Sequence, residues 1–190
     1  SKSNAPRSGL QIAFPRHLSQ VARAALVALV YLATARLSLA LAIPPGYAPP
    51  VWPPSGIAVA AVLLLGPGVW FGVWAGAFVA NLGVEASVMS AAVIGGGNTL
   101  EALIAAALLR PLIGPGARFE RAEQVFRFIA IAALSACVAA TLALARLVSA
   151  HPLSPESAIR NWWTWWQGDF TGIILVTPLL LGWSAPGGWP

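Results

Sequence analysis

The chain has 190 residues, of which 58% are hydrophobic and 9% are charged, and its formal net charge is +5. A soluble domain carries about 25% charged residues, so most of this surface must face something other than water. The composition therefore excludes an ordinary soluble domain and indicates an integral membrane protein. The basic residues cluster beside hydrophobic runs, which favours positive-inside anchoring in a lipid bilayer over binding of nucleic acid.

The apolar runs are long and do not alternate with polar residues as the strands of an outer-membrane barrel do, so the spans are predicted to be helical. Residues 1–20 carry scattered basic side chains and are interpreted as a cytoplasmic lead-in. The first span covers residues 21–43 and ends at Pro44-Pro45-Gly46. A cleaved signal peptide, with Ala40-Leu41-Ala42 as its cleavage site, is the alternative. The apolar stretch is too long for that, and Arg36 interrupts it.

A proline-rich aromatic segment, Pro49-Pro50-Val51-Trp52-Pro53-Pro54-Ser55-Gly56, follows the first span. Proline lacks a backbone donor and pushes the preceding residue toward extended geometry, so no helix is expected before Pro54. A helix can begin at Pro54-Ser55-Gly56, where a missing N–H costs nothing. Trp52 is expected at the lipid–water boundary. The segment thus predicts a rigid loop that turns into a membrane crossing and lines a site.

Residues 52–82 are too long for one span and short for two full ones, and Gly66-Pro67-Gly68 lies in the middle. A single helix would put the basic loop Arg110–Gln124 outside, against the positive-inside bias. Two short spans, 52–65 and 68–82, are therefore predicted. The second carries small residues at every fourth position, which should let another helix approach closely. These are Gly68, Gly72, Gly76 and Ala80.

Three further spans are predicted at residues 88–109, 125–148 and 161–183. The segment 149–160 is interpreted as a solvated outer loop, and residues 184–190 as an exit segment toward an output domain. The fold class is predicted to be an all-α integral membrane protein, a bundle of about six transmembrane helices over residues 21–183. Both termini are predicted to be cytoplasmic.

Polar side chains inside the predicted spans are costly in lipid and usually mark function or a buried pair. At about 1.5 Å per residue, Arg36 lies roughly 10 Å and Asp169 about 12 Å from the outer surface. Opposite charges at matching depth predict an ion pair. Asn98 lies about 15 Å deep, Glu101 follows one turn further on the same face, and Asn81 sits at the outer end of its span.

These side chains converge on the outer half of the bundle, below the proline-rich segment. The functional interpretation is an outward-facing cavity with a few fixed polar contacts and aromatic walls, as small-molecule sites commonly have. The alternative is that the pairs Arg36–Asp169 and Asn98–Glu101 only lock the helices in position. The sequence leaves both interpretations open.

The remaining motifs favour structural roles. Gly95-Gly96-Gly97 is not a phosphate loop, because no strand precedes it and no lysine follows, and it favours a helix break or a close backbone approach. Cys137 lies inside an apolar run as a small hydrophobe. No Ser/His/Asp grouping and no Cys/His spacing is evident, so no enzymatic activity, metal or cofactor is predicted. A cluster typical of an interface belt opens the last span: Trp162, Trp163, Trp165 and Trp166.

Four motifs follow one another along the chain: Val51-Trp52-Pro53-Pro54-Ser55-Gly56-Ile57-Ala58, Gly76-Ala77-Phe78-Val79-Ala80-Asn81, Gly97-Asn98-Thr99-Leu100-Glu101-Ala102, and Trp165-Trp166-Gln167-Gly168-Asp169-Phe170-Thr171-Gly172 with Thr177-Pro178-Leu179-Leu180-Leu181. Together they resemble the MASE1 family of bacterial membrane-associated sensor domains. The resemblance covers residues 24–183. The positions that match the family's motifs are Trp52, Pro53, Pro54, Asn81, Asn98, Glu101, Gly168 and Asp169.

The resemblance implies the input module of a sensor histidine kinase, or of a diguanylate cyclase or phosphodiesterase in cyclic-di-GMP signalling. It implies reception of a signal in the bacterial inner membrane and its transfer to a cytoplasmic output domain, in cis or in trans. By analogy with kinases and cyclases, a homodimer is expected. Family members typically have more spans than the six predicted here, and this chain shows no kinase, nucleotide-binding or cyclase motif.

We therefore expect a sensory input domain whose outer cavity is engaged by a small molecule or a partner protein. The alternatives are the substrate-binding subunit of a small-molecule importer and a passive membrane anchor or dimerisation module. The candidate ligand-binding or signalling residues are Arg36, Trp52, Pro53, Pro54, Ser55, Asn81, Asn98, Glu101, Trp166, Gly168 and Asp169.

Overall fold

The computed structural model describes residues 18–40, 49–84, 87–113, 119, 121–150 and 152–184. In these ranges the chain forms six α-helices and no strand, which confirms the prediction of an all-α fold. The helices are α1 (Gln20–Ala40), α2 (Pro53–Leu65), α3 (Trp70–Leu82), α4 (Val88–Leu109), α5 (Ala122–Ala150) and α6 (Pro155–Ser184). Predictions for the lead-in 1–17, the break Pro44-Pro45-Gly46, most of the loop after α4 and the exit segment 185–190 lie outside the described residues.

Three of the described helical segments are long and apolar enough to cross a membrane, namely Gln20–Ala40, Val88–Leu112 and Ala122–Ala150. Pro53–Leu65 and Pro67–Leu82 are apolar but shorter. Large apolar side chains such as Leu29, Phe126 and Leu134 point away from the bundle, which suits a lipid environment. The count of six crossings and the cytoplasmic position of both termini stay predictions.

A glycine separates the two short helices. Gly66 has a φ of 91°, a conformation that residues with a Cβ rarely adopt, and its neighbours Pro67–Val69 form a 3-10 turn. This turn ends α2 and leads into α3. Two helices, rather than one long one, therefore occupy residues 53–82.

Small residues bring the helices close together in the bundle. A Cβ at Gly72 would overlap the carbonyl oxygen of Ala24, and one at Gly76 would lie 2.8 Å from that of Ala28, so α1 packs directly on the four-residue stripe of α3. α4 runs without a break through Gly95-Gly96-Gly97, so the predicted helix break is wrong. The predicted close approach is confirmed, because a Cβ at Gly95 would meet the backbone of α3 at 3.2 Å.

The last helix begins earlier than the sequence analysis predicts. α5 extends to Ala150 and α6 starts at Pro155, so the prediction of a loop is wrong for residues 149–150 and 155–160. The Ser154 hydroxyl accepts a hydrogen bond from the backbone N–H of Ser157 at 3.2 Å, and Glu156 pairs with Arg160 one turn later. A capping serine followed by proline is a helix-start signal, and an acidic residue suits the first turn.

Candidate functional site

The proline-rich segment before α2 is held against α6 by hydrogen bonds. The backbone N–H of Trp52 donates to the carbonyl oxygen of Gly168 at 2.9 Å, and the Thr171 hydroxyl donates to the carbonyl oxygen of Pro50 at 2.7 Å. Proline occupies the first position of α2, where its missing donor costs nothing. The proline-rich segment therefore packs directly against α6.

Two glycines then bring the backbones of α2 and α6 into contact. A Cβ at Gly172 would overlap the carbonyl oxygen of Trp52, and a Cβ at Gly56 would overlap that of Gly172. Further along, the buried Thr177 hydroxyl donates to the carbonyl oxygen of Gly56 at 3.1 Å. The two helices are thus in direct backbone contact around Gly56 and Gly172, and the Thr177 side chain joins them further along.

Asp169 on α6 is tied to the first turn of α2. The Ser55 hydroxyl donates to Asp169 Oδ1 at 2.6 Å, and both residues are buried, with Asp169 only 5% exposed. No described residue donates a hydrogen bond to Asp169 Oδ2, and Asp169 is one of the residues that line a cavity. Asp169 therefore both joins two helices and borders the cavity.

Asn98 on α4 is held by Tyr31 on α1. Asn98 Nδ2 donates to the Tyr31 hydroxyl at 3.0 Å, and Tyr31 is fully buried. The sequence analysis missed Tyr31. The sequence contains a signal for it: a tyrosine lies in the middle of the first predicted span, and a buried Tyr hydroxyl usually has a hydrogen-bond partner.

Glu101, one turn after Asn98, is fully buried at 0% exposure. Neither of its carboxyl oxygens has a hydrogen-bond partner among the described residues. The carboxyl group lies near the Ser55 hydroxyl and the carboxyl group of Asp169, and it makes no hydrogen bond to either. Two carboxyl groups from different helices therefore share the interior of the bundle beside one hydroxyl.

A cavity of about 70 Å³ opens beside these groups, between α1, α3, α4 and α6. A cavity needs about 10–15 Å³ of such volume to hold one water molecule, so the space holds several waters or a small chemical group. The described residues that line it are Leu39, Pro49, Trp52, Ala80, Asn81, Val84, Ile94, Asn98, Thr164, Trp165, Gly168 and Asp169.

The MASE1 family model matches residues 22–187, nearly the whole chain. The chain belongs to the MASE1 family. MASE1 is a family of membrane-associated sensory input domains rather than catalytic ones, so this chain has a membrane-associated sensory role. No curated protein and no solved structure matches the chain.

About half of the candidate residues line the cavity of this MASE1 domain. Those that line it are Trp52, Asn81, Asn98, Gly168 and Asp169. Ser55 and Glu101 lie in the buried cluster that includes Asp169, and Pro53 and Pro54 form the first turn of α2. Arg36 and Trp166 do not belong to the described lining.

The predicted ion pair between Arg36 and Asp169 is wrong. Arg36 is exposed, and its Nη2 donates to the carbonyl oxygen of Val79 near the end of α3 at 3.4 Å. Asp169 instead accepts from Ser55, and the ion pairs among the described residues are the exposed pairs on α5 and α6. The two residues were matched by depth alone, which does not fix the side of a helix on which a residue lies.

Trp166 packs between α6 and α5. Its Nε1 donates to the carbonyl oxygen of Ala133 at 2.8 Å, and its ring stacks on Phe170 at 5.1 Å. Its neighbour Trp165 lines the cavity of the MASE1 domain instead. The described residues contain no group of three or more His, Cys, Asp or Glu side chains that could hold a metal ion.

Proposed function

We propose that this MASE1 domain detects a small ligand in the cavity and transmits binding to a cytoplasmic output domain, a histidine kinase or a cyclic-di-GMP enzyme. The observation that carries the proposal is that Asp169 both binds α2 and lines the cavity. Its Oδ1 atom accepts a hydrogen bond from Ser55 on α2, and no described residue donates to Oδ2. A ligand that contacts Oδ2 therefore acts on a group that also holds two helices together.

A ligand shifts a conformational equilibrium only by its difference in affinity for the two states. A contact to Asp169 Oδ2 supplies such a difference, because it competes with or reinforces the hydrogen bond from Ser55. The side of the cavity formed by α1 and α4 is fixed by the bond between Tyr31 and Asn98. The movable side in this proposal is α6.

Movement of α6 carries α2 with it, because the backbones of the two helices are in contact at Gly56 and Gly172. α6 also contains Pro178, which removes one internal hydrogen bond and makes a bend there less costly. In this proposal α6 leads from the outer cavity to the inner surface of the bacterial inner membrane. A homodimer, expected by analogy, would pass the movement on to paired output domains.

A thermal-shift screen of the purified chain in detergent or nanodiscs, against metabolites, lipids and ions, tests the proposal. A ligand that binds only the folded domain raises the melting temperature as its concentration increases. We expect at least one saturable hit that is lost in Asp169→Ala and in Asn98→Ala. Glu156→Ala and Asn161→Ala, which remove an acidic side chain and an asparagine outside the cavity lining, should retain it.

Identical melting temperatures across the library would contradict ligand detection and favour a partner-protein sensor or a passive membrane anchor. A hit that survives both cavity substitutions would place the ligand elsewhere in the domain. Either result would leave the membership of the MASE1 family unchanged.

A further inference from the structure

The described lining of the cavity carries one ionisable side chain, the carboxyl group of Asp169, and no lysine, arginine or histidine. An anionic group placed there would meet Asp169 without a counter-charge in the lining. Like charges brought together in a partly buried site repel strongly, because the effective dielectric constant is low. The charge of the lining thus disfavours an anion and favours a positive charge.

A second carboxyl group strengthens this preference from behind the lining. Glu101 is fully buried, lies near Asp169, and has no hydrogen-bond partner for either oxygen among the described residues. No described basic side chain forms an ion pair with Glu101 or Asp169, and Arg36 donates to the carbonyl oxygen of Val79 instead. Buried carboxyl groups are normally paired or hydrogen-bonded, so neither carboxyl group has a positive partner among the described residues.

The uncharged polar groups of the lining include hydrogen-bond acceptors. Asn81 Nδ2 donates to the carbonyl oxygen of Ala77 at 2.8 Å and Asn98 Nδ2 donates to the Tyr31 hydroxyl, while neither amide carbonyl oxygen accepts a hydrogen bond from a described residue. The Thr164 hydroxyl donates to its own helix, to the carbonyl oxygen of Arg160. The partly negative oxygens of these groups suit a cation or a hydrogen-bond donor.

Two tryptophans complete the lining. Trp52 and Trp165 both border the cavity. The face of an indole ring attracts an organic cation, and aromatic side chains around a carboxylate are a usual environment for methylated ammonium groups. A hydrated inorganic ion would gain little from these rings. Together with a volume of about 70 Å³, they favour a compact organic cation.

We propose that the cavity binds its ligand through an ammonium group that contacts Asp169, with the carboxyl group of Glu101 behind it. This inference rests on the proposed function and names the chemical class of the ligand. The ammonium group lies against Asp169 and the amide oxygens of Asn81 and Asn98, and it donates hydrogen bonds to them where it carries N–H groups. Its methyl or methylene groups lie against Trp52 and Trp165.

The test compares choline with 3,3-dimethyl-1-butanol, which has the same shape but carries carbon in place of the charged nitrogen. Both are titrated against the chain in uncharged maltoside detergent, with melting temperature and tryptophan fluorescence as readouts. We expect choline, methylammonium or putrescine to give a saturable shift that the neutral isostere does not give. Sodium chloride and potassium chloride at equal ionic strength are the controls for inorganic cations.

Three substitutions of a carboxylate by an amide locate the effect. Asp169→Asn keeps an acceptor for Ser55 and should weaken binding of the cation about tenfold or more, because a charge-assisted contact is lost. Glu101→Gln should weaken binding of the cation several-fold, although residue 101 does not contact the ligand. Glu156→Gln, on the exposed start of α6, should leave it unchanged. Gel filtration and the melting temperature without ligand establish that each variant is folded.

Equal shifts with choline and its neutral isostere, or a larger shift with 3,3-dimethylbutanoate, would overturn the inference. So would the absence of a saturable shift with every organic cation, or a full shift with sodium chloride alone. These comparisons use the unaltered chain, so they decide the matter even if a variant does not fold. A neutral or anionic hit that is lost in Asp169→Ala would overturn the cationic ligand while supporting the proposed sensor.

Discussion

Glu101 and Asn98 lie one turn apart on α4 and are both buried, yet only the amide has a hydrogen-bond partner among the described residues. A buried polar group without a partner reduces the free energy of unfolding, and a charged one does so more strongly. Residues that break a local rule of stability are often kept for function. Glu101 is such a residue in the ligand-free domain.

At the scale of single residues, we predict that Glu101→Met raises the melting temperature of the ligand-free domain. The change replaces an unpartnered carboxyl group by an apolar side chain of similar volume, which should add about 1–3 kcal/mol to the free energy of unfolding. Thermal unfolding in detergent measures it. Asn98→Leu is the matched control and should lower the melting temperature, because Tyr31 loses its amide partner. Equal losses in both variants would show that Glu101 stabilises the fold.

The sequence analysis identified Asn98, Glu101 and Asp169 as buried polar groups, because charged and amide side chains in an apolar run are conspicuous whatever the packing. It could not choose their partners. Depth along a helix follows from residue number, but the direction of a side chain depends on how each helix is rotated in the bundle. That is why Arg36 was paired with Asp169, which instead accepts from Ser55.

At the scale of helices, the backbone contact between α2 and α6 leads to a prediction about glycine. Gly172→Ala should lower the melting temperature by an amount equivalent to about 1–3 kcal/mol, because the new Cβ overlaps the carbonyl oxygen of Trp52. Gly96→Ala is the matched control, since a Cβ there meets nothing within 4 Å. Alanine is the better helix former, so the control should be neutral or stabilising by about 0.5–1 kcal/mol.

A destabilisation of the same size in both glycine variants would contradict a specific contact between α2 and α6. If Gly172→Ala is tolerated but changes the response of an attached output domain, the contact carries the signal rather than the stability.

The positions of the helices were more predictable than their contacts. Proline and glycine end helices for local reasons, and the break at Gly66 was accordingly found from the sequence. The early start of α6 was missed although Ser154 and Pro155 signal it locally, because the tryptophan cluster was taken as the start of the span. The packing of Gly56 on Gly172 has no local signal, since any small residue suits many neighbours.

At the scale of the whole molecule, we predict six membrane crossings with both termini in the cytoplasm. Cysteine labelling tests this in a Cys137→Ala background, because the chain has no other cysteine. A cysteine at the exposed position of Pro152 should react with a membrane-impermeant maleimide added to intact spheroplasts. A cysteine at the exposed position of Ala122 should react only after the membrane is permeabilised.

Labelling of both positions from the same side would contradict a crossing by α5. Reversed labelling would retain the crossing but invert the domain, and would place the cavity on the cytoplasmic side of the membrane.

The contacts that join the proline-rich segment and α2 to α6 also fix the order in which the domain can be completed during synthesis. Thr171 and Thr177 each bond a residue 121 positions earlier in the chain. During synthesis, α1 to α5 are therefore made before Thr171 and Thr177, the residues that donate to the carbonyl oxygens of Pro50 and Gly56. The proposed sensory site is thus the last part of the domain to be assembled, and a chain that ends before α6 cannot contain it.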